Sequence, residues 1–255
     1  MTADAFYREQ GEQLVPSDRT RGPWDPSAQH AGPPSALLAR ALERCEPRAG
    51  MRIGRITVEI LGPVPLAPLS VEARVVRAGR SVELLEASLA APDGVVMRAS
   101  AWRVAVGDVR SDSDPPPPGP EQGRDRDFFP TGQEAGYHTA MEYKFVRGGF
   151  LELGPALVWM RMLGPLVEGE QPTPLERLMV VADVGNGVSA VLDWREYLFI
   201  NTDLTVHLLR PPEGEWIGVD AVTHLDGTGL AQSTLWDERG SIGGGAQTLL
   251  VRARA

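Results

Sequence analysis

The chain has 255 residues, room for two small domains or one large one, and its 42% apolar and 23% charged shares are those of a globular protein. Asp and Glu outnumber Lys and Arg 34 to 25, and the resulting net charge of -9 argues against a nucleic-acid groove or an anionic membrane surface as the main partner. Cys45 is the single cysteine, which excludes an internal disulfide and a cysteine-rich metal site.

The amino terminus, Met1-Thr2-Ala3-Asp4-Ala5-Phe6, has no basic segment leading into an apolar one. No stretch approaches the ~18 apolar residues of a membrane span, so a cytoplasmic location is expected. Pro33-Pro34 opens a helix, since a first turn needs no N–H from proline. Its apolar positions, Leu37, Leu38, Ala41, Leu42 and Cys45, recur at steps of three and four. That places Cys45 on a helix as a buried, inert thiol. After Gly50 the period becomes two: Ile56, Val58 and Ile60 share one strand face, with Arg55, Thr57 and Glu59 on the other. Strands are predicted over 71–77, 82–90 and 95–106, with turns at Gly79 and Asp93-Gly94.

Residues 107–135 read as a linker. Ser111-Asp112-Ser113-Asp114 leads into Pro115-Pro116-Pro117-Pro118-Gly119-Pro120 and then Arg124-Asp125-Arg126-Asp127, a polar, proline-stiffened spacer. Beyond it come strands over 143–147 and 156–162, then a helix over 174–184 that Gly185-Asn186-Gly187 is expected to stop. One long strand is predicted over 198–209. Strands over 216–223, 230–236 and 246–252 complete a meander, with Arg239-Gly240 at the last turn.

The second half repeats the first. Ile56-Thr57-Val58-Glu59-Ile60-Leu61-Gly62-Pro63 returns as Leu204-Thr205-Val206-His207-Leu208-Leu209-Arg210-Pro211, and Val71-Glu72-Ala73 returns at the same offset as Val219-Asp220-Ala221. Two long copies describe a duplicated domain rather than a solenoid. The reading is α+β: a domain over 1–106, the linker over 107–135, and a second domain over 136–255. Each domain has one central helix and an antiparallel sheet long enough to wrap it.

The differences between the copies point to chemistry. Asp183 falls on the apolar stripe of Leu175, Leu178, Met179 and Ala182, where the first helix has Leu42. A carboxylate there costs several kcal/mol unless it is hydrogen-bonded or wet; the plainer alternative is a helix cap. Gln247 shares a strand face with Leu249 and Val251, where the first copy has Ala99 or Ala101, and a buried amide needs partners. The alternative for Gln247 is an amide satisfied by its sheet neighbours. Asn201, beside Thr202 and Asp203, stands at the start of the long strand and is placed at the mouth of a pocket. His207 and His224 have no metal-ligand spacing. No zinc pattern, P-loop, dinucleotide fingerprint or G-x-S-x-G elbow occurs. Gly243-Gly244-Gly245, placed ahead of the last strand, suggests backbone closely approached by a ligand or partner.

Several stretches together resemble the acyl-CoA thioesterase II branch of the thioesterase superfamily, whose fold is the double hotdog. They are Gly32-Pro33-Pro34-Ser35-Ala36-Leu37-Leu38, Ala182-Asp183-Val184-Gly185-Asn186-Gly187, the segment from Asn201 to Pro211, and the Gln247 strand. The resemblance implies hydrolysis of an acyl-CoA by a water positioned by an aspartate, a serine or threonine, and a glutamine. Asp183 and Gln247 match the first and third, and Arg252 lies near the expected basic end of the last strand. Asn201 stands where the hydroxyl residue belongs, with Thr202 adjacent as a second candidate, and Ala31-Gly32 replaces the usual glycine pair. No metal or redox cofactor is implied, CoA being part of the substrate. Relatives that pair to cover sheet edges imply a homodimer or a larger even-numbered homo-oligomer. Two competing readings are a non-catalytic acyl-binding protein and a hydratase. The hydratase needs a histidine paired with an aspartate; His30 precedes the first helix but lacks that family's spacing.

Overall fold

The computed structural model describes residues 4–109, 111 and 114–254. Met1, Thr2 and Ala3 of the amino-terminal reading, and Asp112 and Ser113 of the linker, lie outside the described residues. The first copy comprises β1 (Tyr7–Gln10), β2 (Gln13–Pro16), α1 (Gly32–Arg44), β3 (Met51–Ile60), β4 (Ser70–Arg77), β5 (Val82–Ala91) and β6 (Gly94–Ala105). The second comprises α2 (Tyr137–Ala140), β7 (Met141–Gly149), β8 (Glu152–Met162), α3 (Pro174–Ala182), α4 (Gly185–Val188), β9 (Tyr197–Asn201), β10 (Asp203–Leu208), β11 (Ile217–Asp226), β12 (Thr228–Asp237) and β13 (Gly240–Ala253). No described helix is long and apolar enough to cross a membrane.

All strands but the β1–β2 hairpin join one antiparallel sheet, ordered β4-β5-β6-β3-β10-β13-β12-β11-β8-β7, with β9 also on β13. The β3–β10 pairing fuses the two copies. Its register sets Val58 opposite Leu204, Thr57 opposite Thr205 and Ile56 opposite Val206, so the repeated segments meet about a local two-fold axis. Helix α1 packs on β3 to β6, and α3 and α4 pack on strands of the second half.

The two long helices run antiparallel. Thr173 Oγ1, at the start of α3, donates to Glu43 Oε2 at 2.6 Å near the end of α1. At the other end Gly32 meets α3 so closely that a Cβ would lie 2.3 Å from the Val180 carbonyl oxygen. Only glycine permits that approach. A capping box starts α3: the Thr173 hydroxyl takes the Glu176 N–H, and the Glu176 carboxylate takes the Thr173 N–H.

Four expectations need correction. Gly185-Asn186-Gly187 does not stop the second helix; α3 ends at Ala182, Asp183 caps it, and the chain re-enters a helical turn as α4. The long strand is interrupted at Thr202, because the pairing with β13 shifts by one residue between Asn201–Leu249 and Thr205–Ala246. That bulge is held by Asp203, whose side chain takes the Thr248 N–H at 2.9 Å. Gly54, Thr202's counterpart, marks a similar shift in β3. The glycine run lies within β13, and Gly243 (φ +153°) is approached by the β10 backbone, a Cβ there meeting the His207 carbonyl at 1.9 Å.

The fourth correction concerns the linker, which packs as well as spans. The Pro118 carbonyl accepts the buried Trp159 indole N–H at 2.8 Å, so the proline segment crosses the second half of the sheet. Arg124 then exchanges both backbone hydrogen bonds with Phe145 of β7, at 2.9 and 2.8 Å. At the opposite edge, Leu14 and Leu69 exchange bonds of 2.8 and 2.9 Å, which starts a cover on β4. The chain thus covers part of each edge strand itself.

Candidate active site

The helix break places Asp183. A capping residue with φ -72° and ψ -8°, it turns its carboxylate inward and is only 3% exposed. The bulge at Thr202 presents Asn201 from the opposite wall, and Asn201 Nδ2 donates to Asp183 Oδ1 at 2.8 Å. Gln247 reaches the same group from β13. Its Nε2 donates to the Asp183 carbonyl at 3.0 Å and to Oδ1 at 3.3 Å. Gln247 Oε1 accepts the Asn186 N–H at 3.0 Å, and Asn186 Nδ2 donates to the Phe199 carbonyl at 3.0 Å. That chain of amides links α4, β9 and β13 rigidly behind the carboxylate.

Of the three residues singled out by comparing the copies, Asn201 and Gln247 therefore both meet Asp183. Thr202 lines the same cavity as Asp183 and Asn201 but makes no hydrogen bond to the three, its hydroxyl being directed to Asp203 and the Thr248 carbonyl, each at 3.4 Å. In the first copy the corresponding places are apolar. Ser100 pairs with Thr57 as Ala246 pairs with Thr205, so Ala101 corresponds to Gln247. Opposite Ile53, the counterpart of Asn201, stands Arg103 instead of a leucine. Arg103 is buried against Glu83 and donates to the Cys45 carbonyl at 2.8 Å, which fills that end of the first copy.

His30 completes the group, and it comes from the first copy. Its Nδ1 lies 3.2 Å from Asp183 Oδ2 and accepts the Gly32 N–H at 3.0 Å. The ring stacks on Tyr137 with centroids 3.8 Å apart and planes 5° from parallel. Tyr137 is fixed in turn by a 2.9 Å bond from its hydroxyl to the Val180 carbonyl. His30 was set aside on spacing, yet its place just before the Gly32-Pro33-Pro34 helix start was the available signal. Antiparallel helix packing does the rest. Asn186, hidden within a supposed stop signal, had none.

A cavity of about 280 Å³ opens onto Asp183, Asn201 and His30. Trp24, Ile60, Val64, Ile200 and Leu250 give its walls a largely apolar character. Burial pushes the Asp183 carboxyl up to about 7, against the pull of its Asn201, Gln247 and Gly32 donors. Burial pushes the His30 imidazole down to about 3. At neutral pH the cluster thus disfavours a buried ion pair and holds a carboxyl ready to gain or lose a proton. Among the described residues no three His, Cys, Asp or Glu side chains group to hold a metal ion.

This architecture, two helices wrapped by a fused antiparallel sheet, is the α+β tandem hotdog. Residues 20–104 match the family described as the acyl-CoA thioesterase N-terminal domain, and residues 112–251 match the acyl-CoA thioesterase C-terminal domain. The chain belongs to the acyl-CoA thioesterase family. Among solved structures, it is similar to a protein of unknown function with a hot dog fold from Alicyclobacillus acidocaldarius (TM-score 0.73, 17% identity, 98% of this chain and 96% of that one). A candidate thioesterase II from Thermobifida fusca aligns with TM-score 0.72 and 18% identity over 97% of this chain and 94% of that one. The tesB protein of Mycobacterium avium subs paratuberculosis aligns with TM-score 0.68 and 15% identity over 98% of this chain and 96% of that one. No curated protein matches the chain.

Proposed function

We propose that this chain hydrolyses an acyl-CoA, or a similar acyl thioester, to a carboxylic acid and a free thiol. The observation that carries this reading is the buried Asp183 carboxyl, held by Asn201 and Gln247 at the end of an apolar cavity. A thioester carbonyl lacks amide resonance and thiolate leaves readily, so one positioned water suffices. Asp183 is the group that takes up the reaction's proton, and its elevated pKa suits a base working near neutral pH. Asn201 and Gln247 fix the carboxyl's orientation, which keeps the reacting geometry from relaxing. The acyl chain lies against the apolar walls, with CoA as part of the substrate.

A panel of acyl-CoAs from acetyl to palmitoyl, read by thiol release, tests the reading; turnover of none defeats it. A second reading, a non-catalytic acyl-binding protein, is favoured by Asn201, which brings an amide where the family resemblance calls for a hydroxyl. It predicts saturable acyl-CoA binding without thiol release. An enoyl-CoA belongs in the same panel, because the histidine–aspartate pair required for hydration is present.

A further inference from the structure

We propose that His30, contributed by the first copy, is the base that faces the water, and that Asp183 acts through it. The proposal rests on the hydrolytic reading above and assigns the proton path within it. Asp183 Oδ1 is occupied by donors from Asn201 and Gln247, and Oδ2 is directed at His30 Nδ1. Of the two side chains, the imidazole is the more exposed, 12% against 4% for the carboxyl side chain. His30 Nε2 makes no hydrogen bond to any described residue, and it is not among the sealed, partnerless atoms. It is therefore the unsatisfied nitrogen of a ring that lines the cavity.

The geometry at Nδ1 contains a switch of tautomer. The Nδ1 lone pair accepts the Gly32 N–H and, when Oδ2 carries a proton, is shared with that O–H, while Nε2 carries the ring hydrogen. When the carboxyl ionises, the Nδ1 lone pair cannot face it. The ring then holds its proton on Nδ1, donates it to Oδ2, and leaves the Nε2 lone pair toward the cavity. In this state Nε2 takes a proton from water as the water oxygen bonds to the thioester carbonyl carbon, and the Nδ1 proton passes to Asp183. Both partners end neutral, which avoids a buried imidazolium. Collapse of the tetrahedral intermediate breaks the carbon–sulfur bond, Nε2–H protonates the thiolate, and the proton on Asp183 returns to Nδ1. The sum is one water consumed, one acid and one thiol released.

The groups facing the ring are few. Tyr137 stacks on it from α2, Asp183 approaches from the end of α3, and Asp25 lines the same cavity. No arginine or lysine lines the cavity among the described residues. No cation lining the cavity therefore opposes the arrival of a proton on the imidazole.

The test uses the full chain and an acyl-CoA that it turns over. His30→Asn keeps an acceptor for the Gly32 N–H while removing Nε2, and should lower kcat by roughly 10²-fold or more with KM changed little. His30→Ala should lose activity similarly and regain part of it with added imidazole. Wild-type turnover in His30→Asn, or no imidazole rescue in a folded His30→Ala, overturns the proposal. If neither variant folds, ¹⁵N-histidine NMR of the unaltered protein decides. The His30 hydrogen should move from Nε2 to Nδ1 as pH rises through the Asp183 titration, and an Nε2–H form at every pH overturns it. A wild-type protein that hydrolyses no acyl-CoA defeats the hydrolytic reading instead, and the tautomer shift still tests the pair.

Discussion

Thr57 and Thr205 occupy the same place in the two copies, 148 residues apart, and their hydroxyls meet at 3.1 Å across the seam of the sheet. The seam is an antiparallel ladder, and α1 and α3 also pack against each other across the two copies. The two copies should accordingly unfold together. Far-UV circular dichroism and tryptophan fluorescence are expected to give one coincident urea transition. Two resolved transitions would show that the ladder does not couple the halves.

Asp183→Asn should separate activity from stability. Asparagine can keep Oδ1 as an acceptor and offer an N–H toward His30 Nδ1, while losing the group that gains the proton. A kcat reduced by ~10²-fold or more is expected. The native carboxyl titrates above its unfolded value, so its ionisation destabilises the fold progressively from about pH 4 to about pH 7 and fully above that. The variant should therefore melt higher than wild type at pH 8 and similarly at pH 4. A variant less stable at pH 8 contradicts the burial cost.

Gln247→Ala should act in the opposite sense on stability. It leaves the Asn186 N–H and the Asp183 carbonyl without their partner, a loss of about 1–3 kcal/mol. Because Gln247 also pulls the Asp183 carboxyl downward, its loss should move the acid limb of the pH–rate profile to higher pH. An unmoved limb would separate Gln247 from the reacting carboxyl.

Glu176 offers a control away from the reaction. Burial raises its carboxyl to about 7, the neighbouring Glu43 adds to the shift, and the Thr173 N–H, Arg40 and Arg44 oppose it. Native structure favours the protonated form, so this contribution to stability is greatest below about pH 4.5, falls progressively to about pH 7 and is lost above it. Glu176→Gln retains an acceptor for the capping box and should raise stability at pH 8 by roughly 1–2 kcal/mol, with no gain at pH 4. Equal melting temperatures at both pH values would count against it.

The strands were legible because Ile56, Val58 and Ile60 alternate against polar neighbours, and the duplication was legible because the ladder at the seam needs the same pattern twice. Asp183 and Gln247 stood out by departing from that pattern. The break beyond Asp183 did not, since a glycine-rich stop looks the same whether or not a distant amide draws the chain back into a turn; here Gln247 accepts the Asn186 N–H. His30 was the larger omission. Its partner belongs to the other copy, and local periodicity carries no information about which helix ends will meet. The short β1–β2 hairpin was also missed, its four-residue strands giving almost no alternation to read.

The buried Glu83–Arg103 pair fills one end of the first copy, and the cavity at Asp183 lies where the copies meet, walled by Trp24, Ile60 and Val64 from the first and by Ile200 and Leu250 from the second. A symmetric ancestor built from two such halves would have had two equivalent openings and the means to let one influence the other. Fusion, followed by the filling of one opening, would leave one such cavity per chain. Saturation within one chain should be hyperbolic, with an equivalence point of one ligand. The half whose end is filled also supplies His30, the close Gly32 contact and the cavity walls Trp24, Ile60 and Val64, so substitutions in it reach the cavity as directly as those in the second half.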